Sequence, residues 1–200
     1  PGLPTGEALH GVMAKCTKPV KTGRHAVSLC PTSFPSMLSV AATFSKELFE
    51  EIGAVIGMEA RALRNLGAGG QLALWSPDIN LFRDPRWGRG QEVPGEDPLL
   101  TSMFIQRVAS GMQSGEDPRY MQAICTPKHF LAYDIEDNEP VGRVAFTANV
   151  SQRDLVSYYL PAGRAAAPIA KGTMCSYNAI DINDGNGAIP SCGNDLMMNQ

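Results

Sequence analysis

The chain has 200 residues, 44% of them hydrophobic and 18% charged, with a net charge of −3. That size and composition suit a globular fold with a real core, and the balanced charge excludes the clustered basic footprint of a nucleic-acid binder. No apolar run approaches the roughly 18 residues a membrane helix needs, and the opening PGLPTGEALHG lacks the basic flank and apolar stretch of a secretory signal.

In chain order, the N-terminal segment reads as a loop. Residues 45–65, SKELFEEIGAVIGMEARALRN, read as a helix. Ser45 can cap it and Glu47 suits the positive end of its dipole. Leu48, Ile52, Val55, Ile56, Ala60 and Leu63 follow the 3.6-residue period as one apolar stripe, and Gly67, Gly69 and Gly70 end the helix. QLALWS (71–76) is a short apolar run fit for a buried strand. Asp97 and Pro98 supply the cap and first residue of a second helix, to about Gly115. YMQAICTP (120–127) reads as a second strand, followed by KHF and an acidic loop. Ser151 and Asp154 form a capping box for a helix to about Ala166. GTMCSY (172–177) is a third strand, NAIDINDGNGAIPSCGN a loop, and a last helix begins near Asp195. The loop-like start and the helical DLMMNQ at the end make the chain read as incomplete at both ends.

Strands alternate with helices, and a long polar loop follows each strand. That order argues for a parallel sheet covered by helices. In a (β/α)8 barrel the loops would gather at the catalytic face; an open doubly wound sheet would also place ligands at its strand ends. No GxGxxG or GxxxxGK[ST] motif supports nucleotide binding.

The five cysteines contain no CxxC pair, which argues against a zinc site. Cys16 and Cys30 flank one polar loop, and Cys175 and Cys192 another; Cys125 stands apart. Either pair fits a disulfide in a secreted protein or two reduced thiols. The Asn149-Val150-Ser151 sequon leans toward secretion, although Ser151 is also read as a helix cap.

INLFRDPRWGRGQEVPGEDP (79–98) holds Arg83, Arg86 and Arg89 with Asp84, Glu92, Glu96 and Asp97, broken by three prolines and three glycines. Such a loop must satisfy its backbone with side chains, and arginine–carboxylate forks make rigid crosslinks. Most of these charges therefore brace the loop, with Trp87 and Phe82 as an apolar floor. One arginine and one aromatic facing a pocket would suit a polar, uncharged ligand such as a sugar. Lys128-His129, just past the second strand, are paired donors for hydroxyl oxygens. At the end of the third strand, Met174 reads equally as a core residue, and the Tyr177 hydroxyl needs a partner if buried.

GEALHG (6–11), TSFP (32–35), GMEARAL (57–63), LWSPDINLFRDPRWGRGQEVPGEDP (74–98), KHFLAYDIED (128–137) and MCSYNAID (174–181) together resemble the N-terminal catalytic domain of glycoside hydrolase family 3. They span nearly the whole chain, and the RDPRWGRGQE…GEDP signature is highly specific. The resemblance implies an α/β fold, a (β/α)8 TIM-barrel-like domain present only in part over residues 1–200. The remaining barrel and a C-terminal α/β sandwich domain of the same protein would follow. It also implies retaining hydrolysis of β-linked sugars, in which an aspartate attacks the anomeric carbon and a glutamate protonates the leaving oxygen.

Carried over residue by residue, Arg89 and the Lys128-His129 pair bind hydroxyls in the −1 subsite, and Glu7 faces the ring's distal hydroxyls. Tyr177 orients the nucleophile, and Met174 lines the same pocket. Glu92 braces Arg89 rather than touching sugar, and Asp84 supports the site in the same indirect way. The family places the nucleophile and acid/base beyond residue 200, so no catalytic residue is assigned here. The 200 residues alone are expected not to hydrolyse glycosides; turnover by the pure fragment that Arg89→Ala abolishes would show the chemistry to be misplaced.

Two departures stand out. The IDINDGNGAIPSC loop is longer than the family's usual turn, and TGEALHG lacks the aromatic residues often found before EALHG. Glu7, rather than Asp, resembles the β-xylosidase and α-L-arabinofuranosidase branch, because a longer acid occupies the space of a hexose CH2OH. Such a steric difference is worth only about 1–3 kcal/mol, so β-glucosidase stays the alternative. A non-catalytic sugar-binding member is a third reading. KHFLAYDIED lacks the histidine of the β-N-acetylglucosaminidase branch. The expected partners are an oligosaccharide or aryl β-glycoside and the C-terminal domain. No cofactor, metal, nucleic acid or membrane is expected, and the expected location is extracellular.

Overall fold

The computed structural model describes residues 4–137 and 140–199. In chain order the elements are β1 (Thr5–Glu7), β2 (Val20–Thr22), β3 (His25–Val27), α1 (Met37–Ala41), α2 (Lys46–Asn65), β4 (Ala73–Trp75), α3 (Pro98–Gln113), β5 (Ile124–Cys125) and β6 (Thr147–Asn149). Then come α4 (Gln152–Asp154), a π-helical stretch over Leu155–Tyr159, α5 (Leu160–Ala166), β7 (Ala179–Asp181), β8 (Ile189–Pro190) and α6 (Asp195–Met198).

The principal sheet is parallel, in the order β1-β4-β5. Thr5 pairs with Ala73, Glu7 with Trp75, and Leu74 with Cys125. Parallel bridges extend it from Asp78 to Lys128 and from Phe130 to Cys175. The N-terminal segment read as a loop therefore contains a strand, and its pairing sets Glu7 level with the end of β4.

The expected third strand, 172–177, shrinks to the single bridge at Cys175. Phe130 N donates to Met174 O (2.8 Å) and Ser176 N to Phe130 O (2.7 Å), as a regular ladder requires. Met174 N, however, takes Pro127 O (2.9 Å), while Lys128 O is already used by Ile79 N. The register slips by one residue and the ladder stops.

Local signals placed the starts of α2, α3 and α4, whereas α1 was not foreseen and the helix expected over 151–166 carries a π-helical stretch in its middle. Ser45 Oγ accepts from Leu48 N (3.2 Å), one Asp97 oxygen accepts from Leu99 N and Leu100 N, and Ser151 Oγ accepts from Asp154 N. The apolar stripe of α2 lies a little off the expected line. Phe49, Gly53, Ile56, Gly57, Ala60 and Leu63 are buried, whereas Leu48, Ile52 and Val55 are only half-buried.

Glycines cause that rotation. A Cβ at Gly53 would collide with the Val108 carbonyl, one at Gly57 with that of Met112, and one at Gly111 with that of Glu50. The α2 and α3 backbones thus touch, and the helices turn their glycines, not their largest side chains, into the crossing. Around it the Phe49 and Phe104 rings meet at a tilt, centroids 4.8 Å apart, and Ile56, Leu74, Ile105, Val108, Met112 and Cys125 complete the core between helices and sheet.

Three stretches read as loop contain strands. β2 and β3 form an antiparallel hairpin, spanned by the Cys16–Cys30 disulfide. β6 pairs in parallel with β7, and β7 in antiparallel with β8. Ile180 and Ile182 point into a second core with Phe130, Leu131, Val150, Leu155, Leu160 and Met197. A Cys175–Cys192 disulfide joins this unit to the Cys175 bridge. Cys125 stays a free, buried thiol, and burial pushes its pKa well up. The acidic loop after KHF runs through Asn138 and Glu139, which lie outside the described residues.

Candidate active site

The charged loop after β4 is built from forks. Arg86 grips both oxygens of Asp84 (Nη2–Oδ2 2.6 Å), which holds that carboxyl down at about 2. Arg83 pairs with Asp134 (3.1 Å) and lies over the Tyr159 ring. Arg89 reaches Glu92 with Nε (2.9 Å) and Nη2 (2.5 Å). Beneath the loop, Trp87 meets Phe82 and Tyr133 edge-on, and Val93 and Phe146 close a third apolar cluster. A Cβ at Gly90 would strike the Phe82 ring, so the backbone beside Arg89 sits directly on that floor.

Burial works against the Arg89 charge, but the hydrogen bonds and charge of Glu92, with Tyr133 and Asp78 adding to them, outweigh it and leave the guanidinium more basic than usual. The expected bracing of Arg89 by Glu92 is thus direct. Asp84 braces the outer edge of the loop on Arg86 and has no recorded bond to Arg89.

Because β1, β4 and β5 run parallel, their carboxyl ends bring distant residues together. Lys128 Nζ donates to Glu7 Oε2 at 2.5 Å across 121 residues of sequence. Lys128 is 1% exposed, while the Glu7 side chain keeps 31% of its surface. Glu7, Arg89, Lys128 and Glu92 line one open cleft of about 720 Å³, walled by Leu9, Val12, Met13, Phe34 and Gln91. Thr32, on its rim, is held by Glu59, which accepts from both its N–H and its hydroxyl.

His129, 2% exposed, lies next to this cleft but outside its lining. The Tyr133 ring meets it at 5.0 Å and the Tyr177 ring at 5.7 Å, and Tyr133 and Tyr177 meet each other at 5.3 Å. Tyr133 also lies under the Arg89 guanidinium (5.6 Å). Tyr177 is 44% exposed and lies beneath Arg143 (4.8 Å). Its place is set by Ser176, whose hydroxyl accepts from Leu131 N and donates to Leu131 O. Met174 is half-buried in the pairing beside Phe130 and is not a wall of the cleft.

Sequence reasoning missed Tyr133 and Glu136. Trp87 Nε1–H and the Tyr133 hydroxyl both donate to Glu136 Oε1 (3.1 and 2.6 Å), with Arg89 Nε at 4.0 Å and Arg143 Nη1 3.7 Å from Oε2. Burial and the Glu136 bond push the Tyr133 hydroxyl up to about 12, so it remains a donor at neutral pH. One carboxylate thereby ties the charged loop after β4 to the loop after β5. Its only sequence signal was its place in the KHFLAYDIED run.

A separate, mostly apolar cavity of about 300 Å³, lined by Ile79, Phe130, Leu160, Gly163 and Met197 with Arg164 among them, presents no carboxylate. The candidate site is the Glu7–Arg89–Lys128 cleft, where both cations meet carboxylates at the strand ends. There an ammonium, a guanidinium fork and two carboxylates, each paired with a cation, form a surface able to exchange hydrogen bonds with vicinal hydroxyls.

The profile described as "Glycosyl hydrolase family 3 N terminal domain" matches residues 12–199. The chain is 41% identical over 203 residues to the "Probable exo-1,4-beta-xylosidase xlnD" of Neosartorya fischeri, covering 98% of this chain and 25% of that protein. It is 43% identical over 182 residues to the "Beta-xylosidase/alpha-L-arabinofuranosidase 2" of Medicago sativa subsp. varia, covering 88% and 23%. Among solved structures, a GH3 exo-β-xylosidase (XlnD) with a xylobiose aziridine probe superposes with a TM-score of 0.78 at 39% identity, over 96% of this chain and 24% of that one. β-Glucosidase 3B of Thermotoga neapolitana, with α-D-glucose, gives 0.76 at 25% identity, over 98% and 24%. The chain thus spans about a quarter of the length of these relatives.

Proposed function

The chain belongs to glycosyl hydrolase family 3, to its N-terminal domain, and from that premise we propose that the full-length protein is a retaining, exo-acting β-glycosidase, first of all a β-xylosidase. The observation that carries the reading is the Glu7–Lys128 pair at the strand ends, in one cleft with the Arg89 fork. Arg89 and the Lys128-His129 pair bind ring hydroxyls, with the Tyr177 ring packed 5.7 Å from the His129 imidazole. Glu7 occupies the side where a hexose would carry its CH2OH. Nucleophile and acid/base come from parts of the protein beyond these residues, and Tyr177 orients the nucleophile.

The fungal and plant relatives with β-xylosidase names support this reading. The likeness to β-glucosidase 3B keeps the glucosidase as the second. The Cys16–Cys30 and Cys175–Cys192 disulfides support an extracellular location. The deciding test is kcat/KM of the full-length protein on aryl β-xyloside and aryl β-glucoside, side by side. Preference for the xyloside is expected; preference for the glucoside removes the excluding role of Glu7. Cleavage of neither makes the non-catalytic sugar-binding reading the leading one.

A further inference from the structure

Asp78 is the buried group that the cleft does not account for. It follows β4, is wholly buried, and forms the parallel bridge to Lys128. Its Oδ1 accepts from both the backbone N–H and the Nδ2 of Asn80, each at 3.0 Å. Its Oδ2 has no hydrogen-bond partner among the described residues, yet lies 3.2 Å from His129 Nδ1. That is ion-pair distance without hydrogen-bond alignment. Asn80 Nδ2 stands 3.4 Å from the same nitrogen. A carboxylate taken out of water with one oxygen unsatisfied opposes folding, so its retention calls for a role.

The surroundings of His129 indicate which role. Tyr133 and Tyr177 cover the imidazole with aromatic carbon at 5.0 and 5.7 Å. The polar groups recorded beside its ring, Asp78 and Asn80, both stand at Nδ1. We propose that Asp78 is a positioning residue: it holds the His129 imidazole with Nδ1 toward the buried carboxylate, so that Nε2 is the nitrogen offered to a sugar hydroxyl. The same arrangement of a carboxylate behind a histidine fixes tautomer and ring angle wherever one ring nitrogen must act on a ligand. The inference rests on the reading that His129 binds substrate.

A double-mutant cycle in the full-length protein tests both, with kcat/KM on an aryl β-xyloside and thermal unfolding as readouts. Asp78→Asn keeps the shape but weakens the hold on Nδ1. It is expected to lower kcat/KM about 10- to 100-fold in the wild-type background and by less than about threefold in a His129→Ala background. Equal losses in both backgrounds overturn the inference and leave Asp78 a structural residue. If His129→Ala itself leaves kcat/KM unchanged, the reading of His129 fails and the inference with it. Should Asp78→Asn not fold, Asn80→Ala, which removes a bond that seats Asp78, replaces it. A several-fold loss that vanishes in the His129→Ala background is then expected, and additivity overturns the inference.

Discussion

Replacing Arg89 by alanine in the full-length protein is expected to lower kcat/KM on an aryl β-glycoside by about 100- to 1,000-fold, the scale for losing one preorganised donor to transition-state charge. Two effects combine. The substrate loses a charged donor, and Glu92 loses the fork that occupies both its oxygens at 2.9 and 2.5 Å. The lysine variant separates charge from geometry. A lysine supplies one point charge and cannot satisfy Glu92 through two parallel bonds while leaving a donor for the ligand. Arg89→Lys is therefore expected to recover less than about tenfold of the loss, in assays run with the melting temperature alongside. Recovery to near wild-type activity would mean that Arg89 acts as a bare charge, and the rigid loop would need another explanation.

The second large effect concerns Glu7 and Lys128. Lys128 is 1% exposed, and Glu7 is its recorded partner. Removing one member of a fully buried ion pair costs about 3–5 kcal/mol, because the other charge is left stranded. Water reaches the Glu7 side chain, which keeps 31% of its surface, so the loss here should be smaller, about 2–3 kcal/mol for Glu7→Gln. Differential calorimetry of the full-length protein should show the transition containing this domain shifted down, together with loss of activity.

Glu7→Asp keeps the charge and shortens the arm by one methylene. It is expected to raise glucoside over xyloside kcat/KM by about tenfold relative to wild type, within the range that one methylene can discriminate. An unchanged ratio would show that Glu7 does not bound the space at the sugar's terminal carbon.

Much of the fold was legible from local chemistry. The caps of Ser45, Asp97 and Ser151 act within four residues, and each forms the hydrogen bond its sequence foretold. The Arg89–Glu92 fork spans three residues and could be read directly from WGRGQE. The β6–β7–β8 sheet was missed because β6 pairs with β7 across about thirty residues, and the local β7–β8 pairing is masked by DINDGNGAIP, which resembles a turn-rich loop more than a hairpin. The orientation of α2 was misjudged for a related reason. Its apolar stripe was read by side-chain size, while contact with α3 is governed by the absence of side chains at Gly53, Gly57 and Gly111.

The candidate site divides along the same line. By itself the sequence determined the family, the longer helices with their caps, and a set of candidate site residues, because motif composition and short-range hydrogen bonds are local properties of the chain. Only the tertiary structure decided which of those residues meet. It set Glu7 against Lys128 across 121 positions, gathered Trp87, Tyr133, Arg89 and Arg143 around Glu136, sent Asp84 to the outer edge of its loop, and placed Asp78 behind His129. Those contacts follow from the parallel register of β1, β4 and β5, which sets the ends of distant segments side by side. Such a register depends on the whole packed core, and no local stretch of sequence encodes it.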